Sequence, residues 1–243
     1  MTKNDFSRLA AENFEKNGIS RFATDETLSK LFDLCEIFLS ANEKMNLTAI
    51  KDEKLVVSRH FADCLVPASF FPVGTNVLDV GSGGGMPTLP LAIARPDLMI
   101  TALDATAKKT AYIENTARAL GLSNVSVVTG RAEELAQTAL RASFDVVTAR
   151  AVAQTNVLAE LCVPFIKTGG VFIALKGKNG AEEAAVAAKA AKTLGCRLVS
   201  DNAFSLVDTD GEISERHVLV YEKIAETPKI YPRKYAQILK NPL

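Results

Sequence analysis

The chain has 243 residues, which suits one large domain or one domain with a short extension. Apolar residues make up 48% of it, enough for a sizeable core. Its 28 basic residues balance 28 acidic ones, which argues against a protein that coats nucleic acid passively. The N-terminus lacks the apolar core of a signal peptide and no apolar run is long enough to cross a membrane, so we expect a cytoplasmic protein. The four cysteines form no CxxC pair and lack zinc-ligand spacing, which predicts buried reduced thiols and no metal site.

The first seventy residues are predicted to be helical. Apolar side chains recur at helical spacing over Phe6–Phe14 and more strongly over Leu28–Leu39. A third helical stretch is expected from about Asp52 to Phe71, with Asp52 as its N-cap. We therefore predict a helical N-terminal extension over residues 1–72.

From residue 73 onward, short β-branched runs alternate with Ala- and Lys-rich helical stretches, which predicts a parallel sheet covered on both faces. The predicted strands are Asn76–Val80, Met99–Asp104, Val125–Thr129, Phe144–Thr148 and Val171–Lys176. The predicted helices are Pro87–Ala94, Ala107–Leu120, Ala132–Leu140, Thr155–Phe165 and Ala181–Leu194.

Two further strand candidates, Arg197–Leu206 and Glu215–Lys223, are separated by the turn residues Asp208-Thr209-Asp210-Gly211. They are expected to pair as a hairpin and to add one antiparallel strand to the sheet. A mostly parallel seven-stranded α/β sheet with a terminal antiparallel hairpin resembles the Rossmann-like class I methyltransferase arrangement. We assign this domain to residues 73–226.

A glycine-rich segment follows the first predicted strand, and it reads Asp79-Val80-Gly81-Ser82-Gly83-Gly84-Gly85-Met86-Pro87. Glycines let the backbone approach a ligand closely, and the helix that follows presents free amides and a partial positive charge. An amino acid's carboxylate suits that position, and Asp79 is placed to attract its ammonium group. The spacing Gly81-x-Gly83-x-Gly85 differs from the dinucleotide pattern and resembles the loop that binds S-adenosylmethionine.

Two later strand ends complete this candidate cofactor site. Asp104 follows the glycines by about twenty residues, where a carboxylate holds both ribose hydroxyls of a nucleoside; the alternative is a simple cap of the next helix. The backbone amides of Ala132 and Glu133 lie in the turn that neighbours an adenine ring in such folds. The alternative there is that acidic residues stabilise a helix N-terminus.

The fourth strand ends in Thr148-Ala149-Arg150-Ala151-Val152, without the Asn/Asp-Pro-Pro-aromatic motif of many enzymes that methylate exocyclic amines. Cys162 lies inside a predicted helix, which disfavours a cysteine nucleophile of the pyrimidine-C5 type. A purine N7 carries a free in-plane lone pair and needs no base, so catalysis there depends on positioning and electrostatics. Arg150 and Lys176 are expected at this edge of the sheet. No catalytic residue is identified.

With these segments the chain resembles the bacterial small-subunit ribosomal RNA guanine-N7 methyltransferases, also called glucose-inhibited division protein B. The resemblance covers nearly the whole chain. Besides the glycine loop it rests on Asn46-Leu47-Thr48-Ala49-Ile50, Arg59-His60-Phe61-Ala62-Asp63, Arg150-Ala151, Ala174-Leu175-Lys176-Gly177, Glu215-Arg216-His217 and Tyr231-Pro232-Arg233. One departure is Thr88, which follows Pro87 where the family usually has glycine.

The resemblance implies that S-adenosyl-L-methionine is the cofactor and that a methyl group is transferred to N7 of one guanine in the decoding-region loop of 16S ribosomal RNA. The partner would be small-subunit ribosomal RNA or the small ribosomal subunit, met by a monomer. Implied cofactor contacts are Gly81, Met86, Ala132, Glu133 and Arg150, which Gly83 and Asp104 join by the loop argument.

If the family fold applies, Asn46, Arg59 and His60 lie close to the catalytic edge and shape the RNA entrance together with Lys176. The structural alternative is that Asn46 caps a turn and that Asp63 pairs with Arg59. For the basic tail, residues 227–243, two interpretations stay open: a solvated, poorly ordered end, or a strip whose cations and tyrosines contact RNA.

Two other functions remain open at this stage. One is a methyltransferase of small molecules or protein side chains, which the balanced charge permits. The other is a non-catalytic nucleotide-binding module that uses the same glycine loop; the glycine spacing and the terminal hairpin disfavour it.

Overall fold

A seven-stranded sheet forms the centre of the protein, which we describe from a computed structural model over residues 1–150 and 153–243. The strands are β1 Asn76–Val80, β2 Met99–Asp104, β3 Val125–Thr129, β4 Phe144–Arg150, β5 Ile166–Lys176, β6 Cys196–Val207 and β7 Ile213–Lys223. Their order is β3-β2-β1-β4-β5-β7-β6; β1 to β5 are parallel, and β7 is antiparallel to both β5 and β6. The predicted fold class and terminal hairpin are confirmed.

The helices are α1 Lys3–Lys16, α2 Asp25–Met45, α3 Glu53–Val56, α4 Asp63–Leu65, α5 Thr88–Ala94, α6 Ala107–Ala119, α7 Ala132–Leu135, α8 Thr155–Cys162, α9 Gly180–Leu194 and α10 Tyr235–Lys240. Thr2 and Thr24 cap α1 and α2, because each side chain accepts a hydrogen bond from a backbone amide in the first turn. Asp52 caps α3 in the same way by accepting from the amide of Lys54, as predicted.

Two predicted helices are less regular than expected. The stretch after Asp52 passes from α3 through a π-helical turn, Val57–Ala62, into α4 and then a 3-10 segment, Val66–Phe70. Pro67 lacks an amide donor and cannot continue an α-helix there. Helix α7 is only one turn long because the Thr138 hydroxyl donates to the carbonyl oxygen of Leu135 at its end.

The two faces of the sheet bury separate hydrophobic clusters. Successive residues of β1 belong to different clusters, Val77 to the first and Leu78 to the second, because strand side chains alternate. Helices α1, α2, α5 and α6 contribute to the first cluster, and α8, α9 and α10 to the second. The predicted extension over 1–72 therefore shares a continuous core with the sheet domain.

The four cysteines are buried and reduced, as predicted. Burial raises the pKa of the Cys64 thiol to about 12, so it carries no thiolate at neutral pH. Across residues 1–150 and 153–243, no helix has the length and apolar character needed to cross a membrane. The same residues contain no group of three or more His, Cys, Asp or Glu side chains that could hold a metal ion.

Candidate active site

The glycine loop between β1 and α5 is held against the end of β2. The amides of Gly81 and Ser82 both donate to the carbonyl oxygen of Leu103, at 2.8 and 3.0 Å. Gly85 has a φ of +80°, and a Cβ at this position would lie 2.5 Å from a methyl carbon of Leu89, so only glycine fits without displacement. The loop is thereby kept as bare backbone facing two cavities.

These two cavities adjoin at Gly81 and Asp104, which line both. The first, of about 330 Å³, is also lined by His60, Arg150 and four further loop residues, Ser82, Gly83, Gly84 and Met86. The second, of about 200 Å³, lies along the turn after β3. Together their walls include all seven residues predicted to contact the cofactor: Gly81, Gly83, Met86, Asp104, Ala132, Glu133 and Arg150.

Asp104 joins the glycine loop to helix α6. One carboxylate oxygen accepts from the amide of Gly83 at 3.0 Å, and the other accepts from the amide of Thr106, the residue that precedes α6, at 2.8 Å. Each oxygen has a second lone pair, and the residue is 8% exposed toward the cavities. The helix-capping role and a ligand-binding role are therefore compatible in one side chain.

Asp79, at the end of β1, is a buried acid with only one oxygen satisfied. Its Oδ2 accepts from the Thr88 hydroxyl at 2.7 Å. Among the residues that the structure describes, no hydrogen-bond donor reaches its Oδ1 or the buried hydroxyl of Ser82. Burial raises the pKa of Asp79 to about 6, while the Thr88 hydrogen bond opposes that rise. Unsatisfied buried atoms are rare in folded proteins, and this pair beside the glycine loop is a candidate position for the polar groups of a ligand.

Arg150, at the end of β4, is the centre of a charged cluster. Its guanidinium donates to Asp63 Oδ2 at 2.9 Å and to His60 Nδ1 at 3.4 Å, and the other oxygen of Asp63 accepts from Arg216 on β7 at 2.8 Å. The carboxylate of Asp63, at the start of α4, thus connects the end of β4 to β7. The neighbour of Arg150 in the predicted motif, Ala151, lies outside the described residues.

His60 is held in its neutral form. Burial and the nearby Arg150 cation lower the pKa of its imidazole to about 4. Because Nδ1 accepts from Arg150, we assign the proton to Nε2, which then donates to the Thr48 hydroxyl at 3.0 Å. This network ties the segment after α2 to the end of β4.

A third and larger cavity, of about 610 Å³, meets the first at Arg150. Its walls come from the ends of β4 and β5, the hairpin strands and α4; the polar lining residues are Asp63, Arg150, Gln154, Lys176, Glu183, Arg216 and His217. Arg150 is therefore the boundary between the glycine-loop cavities and a space large enough for a nucleobase.

The structure separates the four residues predicted to face RNA. His60 and Lys176 line the cavities on either side of Arg150. The Lys176 ammonium is already engaged, with Glu183 at 2.7 Å and the carbonyl of Ala153 at 2.6 Å. Arg59 binds Asp208 in the hairpin turn, and Asn46 ends α2 in the left-handed conformation. The alternative pairing of Asp63 with Arg59 is wrong, because Asp63 instead binds Arg150 and Arg216.

The sequence profile of a family described as rRNA small subunit methyltransferase G matches residues 27–216. The chain belongs to this family. A member from Brevibacillus brevis, the "Ribosomal RNA small subunit methyltransferase G", is 42% identical over 246 residues, and the match covers 100% of both chains. The resemblance inferred from the sequence motifs is thereby confirmed.

Two solved structures share the fold. Cofactor-bound Rv0187 from MTB has a TM-score of 0.54 and 21% identity, over 78% of this chain and 90% of its own. TYW2 from M. jannaschii in complex with AdoMet has a TM-score of 0.51 and 18% identity, over 65% of this chain and 73% of its own. These structures confirm the Rossmann-like methyltransferase architecture.

Thr88, where the family pattern is expected to have glycine, has a defined hydrogen-bonding role in this structure. Thr88 is fully buried at the start of α5, and its hydroxyl is the donor that satisfies Asp79 Oδ2. Its hydrogen bond adds a polar tether that glycine cannot provide.

Sequence reasoning missed three residues of the site. Asp63 and Arg216 belong to recognised motifs, but no spacing indicates that the start of α4, the end of β4 and the hairpin meet at one carboxylate. Tyr235, in the C-terminal tail, lines the 200 Å³ cavity. It has no periodic signal, since its position depends on how the tail folds back over α8.

Proposed function

We propose that this protein transfers a methyl group from S-adenosyl-L-methionine to small-subunit ribosomal RNA, at N7 of a guanine in the decoding-region loop of 16S ribosomal RNA. The observation that carries the proposal is the boundary at Arg150. On one side lie the two glycine-loop cavities, and on the other lies a space of about 610 Å³ suited to a base. Donor and acceptor would therefore meet at one side chain. The relatives' names, which state small-subunit ribosomal RNA methylation, support the substrate class.

The residues present fit this cofactor. The orphaned Oδ1 of Asp79 suits its ammonium group, and the buried Ser82 hydroxyl beside the loop amides suits its carboxylate. Asp104 would hold the ribose hydroxyls, since each of its oxygens has a free lone pair. The 200 Å³ cavity along Ala132 and Glu133 would take the adenine.

The proposed reaction does not require the protein to act as a general base. The bound cofactor supplies an electrophilic methyl on a cationic sulfur. The N7 lone pair of the guanine would accept this methyl group, the C–S bonding pair would remain on sulfur, and the positive charge would pass to the purine ring. No proton is removed, so the task of the chain is alignment. Asp63 and His60 would fix Arg150, which in turn would orient the base against the methyl.

The proposed substrate also implies which face of the protein binds RNA. We place the RNA or small subunit against the face that carries the 610 Å³ cavity, with Lys176 on its wall and His60 in the adjoining 330 Å³ cavity. Asn46 and Arg59 would lie farther along the RNA entrance. The protein would act as a monomer in the cytoplasm. Residues 1–72 would form the helical extension, 73–226 the cofactor-binding domain and 227–243 the basic tail.

The test is methylation of small ribosomal subunits from a strain that lacks this gene. Purified protein and labelled S-adenosylmethionine are incubated with the subunits or with their naked RNA, and the product is cleaved at N7-methylguanine. We expect one cleavage site in the decoding-region loop. Label in RNA without N7-specific cleavage would refute the atom assignment. Turnover only on small molecules or proteins would refute the RNA substrate. Cofactor binding without transfer to any acceptor would favour a binding module.

A further inference from the structure

The C-terminal tail is docked on the sheet domain, contrary to a poorly ordered end. Arg233 donates three hydrogen bonds to Glu160 of α8, from its amide, Nε and Nη2, at 2.6 to 2.8 Å. The Glu160 side chain is fully buried, so this arginine neutralises a carboxylate that water does not reach. The guanidinium of Arg141 donates to the carbonyl oxygens of Thr227 and Tyr231 at 2.9 and 2.8 Å.

The short helix α10 that follows is anchored by one apolar residue. Ile238 is fully buried and belongs to the second hydrophobic cluster, against which Tyr231 and Tyr235 also pack. Tail and core are thus joined by an ion pair, by backbone hydrogen bonds and by apolar contact. The position of α10 on the sheet is therefore fixed by its contacts with the core.

This docking places Tyr235 in the wall of the 200 Å³ cavity. Among the described residues that line this cavity, Tyr235 is the one aromatic residue. The Arg131 guanidinium lies 5.4 Å from the centre of the Tyr235 ring, and its Nε donates to Glu133 at 3.0 Å. The tyrosine is therefore held by the packing of the tail, and a cation lies over one face of its ring. An aromatic face so fixed has the chemistry to contact a flat heteroaromatic ring.

We infer that Tyr235 is a positioning residue for the adenine of the cofactor, and that the C-terminal tail is a structural part of the cofactor site. The inference rests on the proposed function, which places the adenine in this cavity. The other described lining residues are small or aliphatic, such as Gly130, Ala132 and Leu161, or charged, such as Arg131 and Glu133, and none of them is aromatic. Tyr235 is consequently the large ring surface that the described part of this cavity offers to an adenine.

The same geometry separates two roles within the tail. Tyr235 and Arg233 face the core, whereas Lys234 and Lys240 are exposed. Loss of Tyr235 should weaken cofactor binding without RNA present. Loss of the exposed lysines should leave cofactor binding unchanged. The tail's contribution to cofactor affinity is thus distinct from any contact of its cations with phosphate.

The test is calorimetry with two ligands, S-adenosylhomocysteine and 5′-deoxy-5′-methylthioadenosine, on the full chain. For Tyr235→Ala we expect about a tenfold rise in Kd for both, since base–aromatic stacking carries that order of affinity. Both ligands should be affected equally because they share the adenosine and differ only in the amino-acid end. Tyr235→Phe, which keeps the ring, should change either Kd by less than about twofold. Lys234→Ala is the matched tail control and should leave both unchanged.

Unfolding midpoints of all variants show whether α10 remains docked, and Tyr235→Leu keeps apolar bulk while removing the aromatic face. Unchanged Kd values for Tyr235→Ala, or a loss as large for Lys234→Ala, would overturn the inference. So would full affinity in Tyr235→Leu. If the unaltered protein bound neither ligand, the proposed function itself would fail. If it bound both and Tyr235→Ala bound them equally well, only the role of Tyr235 would fail.

Discussion

At the scale of single residues, one carboxylate organises the catalytic edge. Asp63 pairs with Arg150 and Arg216 through its two oxygens, at 2.9 and 2.8 Å, and its side chain is 12% exposed. The arginines come from β4 and β7, which are not neighbours in the sheet. A group that neutralises two partly buried cations is expected to matter far more than a surface pair.

We predict that Asp63→Asn lowers the free energy of unfolding by about 3 kcal/mol, because it leaves two guanidinium groups without a counter-charge. Denaturant unfolding measures this. Asp5→Asn is the matched control, since it removes an exposed pair with Arg8 and should cost less than about 1 kcal/mol. Equal losses in the two variants would contradict the role assigned to Asp63.

The buried acid Asp79 predicts a pH dependence of cofactor binding. Its pKa is raised to about 6, so it is protonated below that pH and ionised above it. A bound ammonium group needs the ionised form. The Kd for S-adenosylhomocysteine should therefore rise as pH falls through 6, roughly tenfold at pH 5 relative to pH 7. Asp79→Asn should bind weakly at both pH values, and a pH-independent Kd in the unaltered protein would count against this assignment.

Thr88 affects the pKa of Asp79 and therefore the same pH dependence of cofactor binding. Its hydroxyl donates to the carboxylate and lowers the pKa of Asp79 against the effect of burial. Thr88→Val keeps the shape but removes the donor, so the midpoint of the Kd–pH profile should move to higher pH. Thr116→Val is the control, a buried threonine whose hydroxyl bonds a helix carbonyl. A midpoint that moves to lower pH in Thr88→Val, or moves as far in the control, would disprove the tether.

At the scale of elements, the Arg233–Glu160 ion pair is the buried charged contact among those that hold the tail and α10 on the core. We predict that Arg233→Ala leaves the buried Glu160 unpaired, costs about 3 kcal/mol and releases α10. Hydrogen exchange at the Ile238 amide, which bonds the carbonyl of Lys234, reports the release directly. Lys234→Ala, the neighbouring exposed cation, should leave that exchange rate unchanged. Retained protection in Arg233→Ala would show that apolar packing alone holds the tail.

Most elements could be predicted from the chain itself. Strands β1, β2 and β3 match their predicted bounds because each is a short apolar run bordered by turn residues. The predicted helix after Asp52 is instead a series of short α, π and 3-10 segments. Helical periodicity in the sequence cannot distinguish these types of turn. The tail was the least predictable element, because its order depends on an ion pair with a residue more than seventy positions away.

At the scale of the whole molecule, the N-terminal helical region is hydrogen-bonded to the β6–β7 hairpin and also packs against the sheet. Asn13 and Asn17 of the α1 region both donate to the carbonyl oxygen of Val207, each at 2.9 Å, and Arg59 pairs with Asp208. The first hydrophobic cluster runs without interruption from Phe6 to the sheet. The extension is thus part of the structure that shapes the 610 Å³ cavity.

We therefore predict that residues 1–72 and the sheet domain unfold together. Far-ultraviolet circular dichroism and hydrogen exchange of β-strand amides should give one common denaturant midpoint. An early transition that removes helical signal while strand protection persists would contradict this coupling. As a control, Lys51→Ala, an exposed loop change, should leave the midpoint in place.

The sequence by itself determined the class of fold and the glycine-rich turn after β1, because both depend on local patterns. The glycines at Gly81, Gly83 and Gly85 and the acids at the ends of β1 and β2 can be identified from the order of residues along the chain. The tertiary structure decided that Tyr235 lines the 200 Å³ cavity. It also decided which charges meet: Asp63 with Arg150 and Arg216, and Glu160 with Arg233. Such contacts join positions 73 to 153 residues apart, and only the packing of the sheet faces brings them within hydrogen-bond distance.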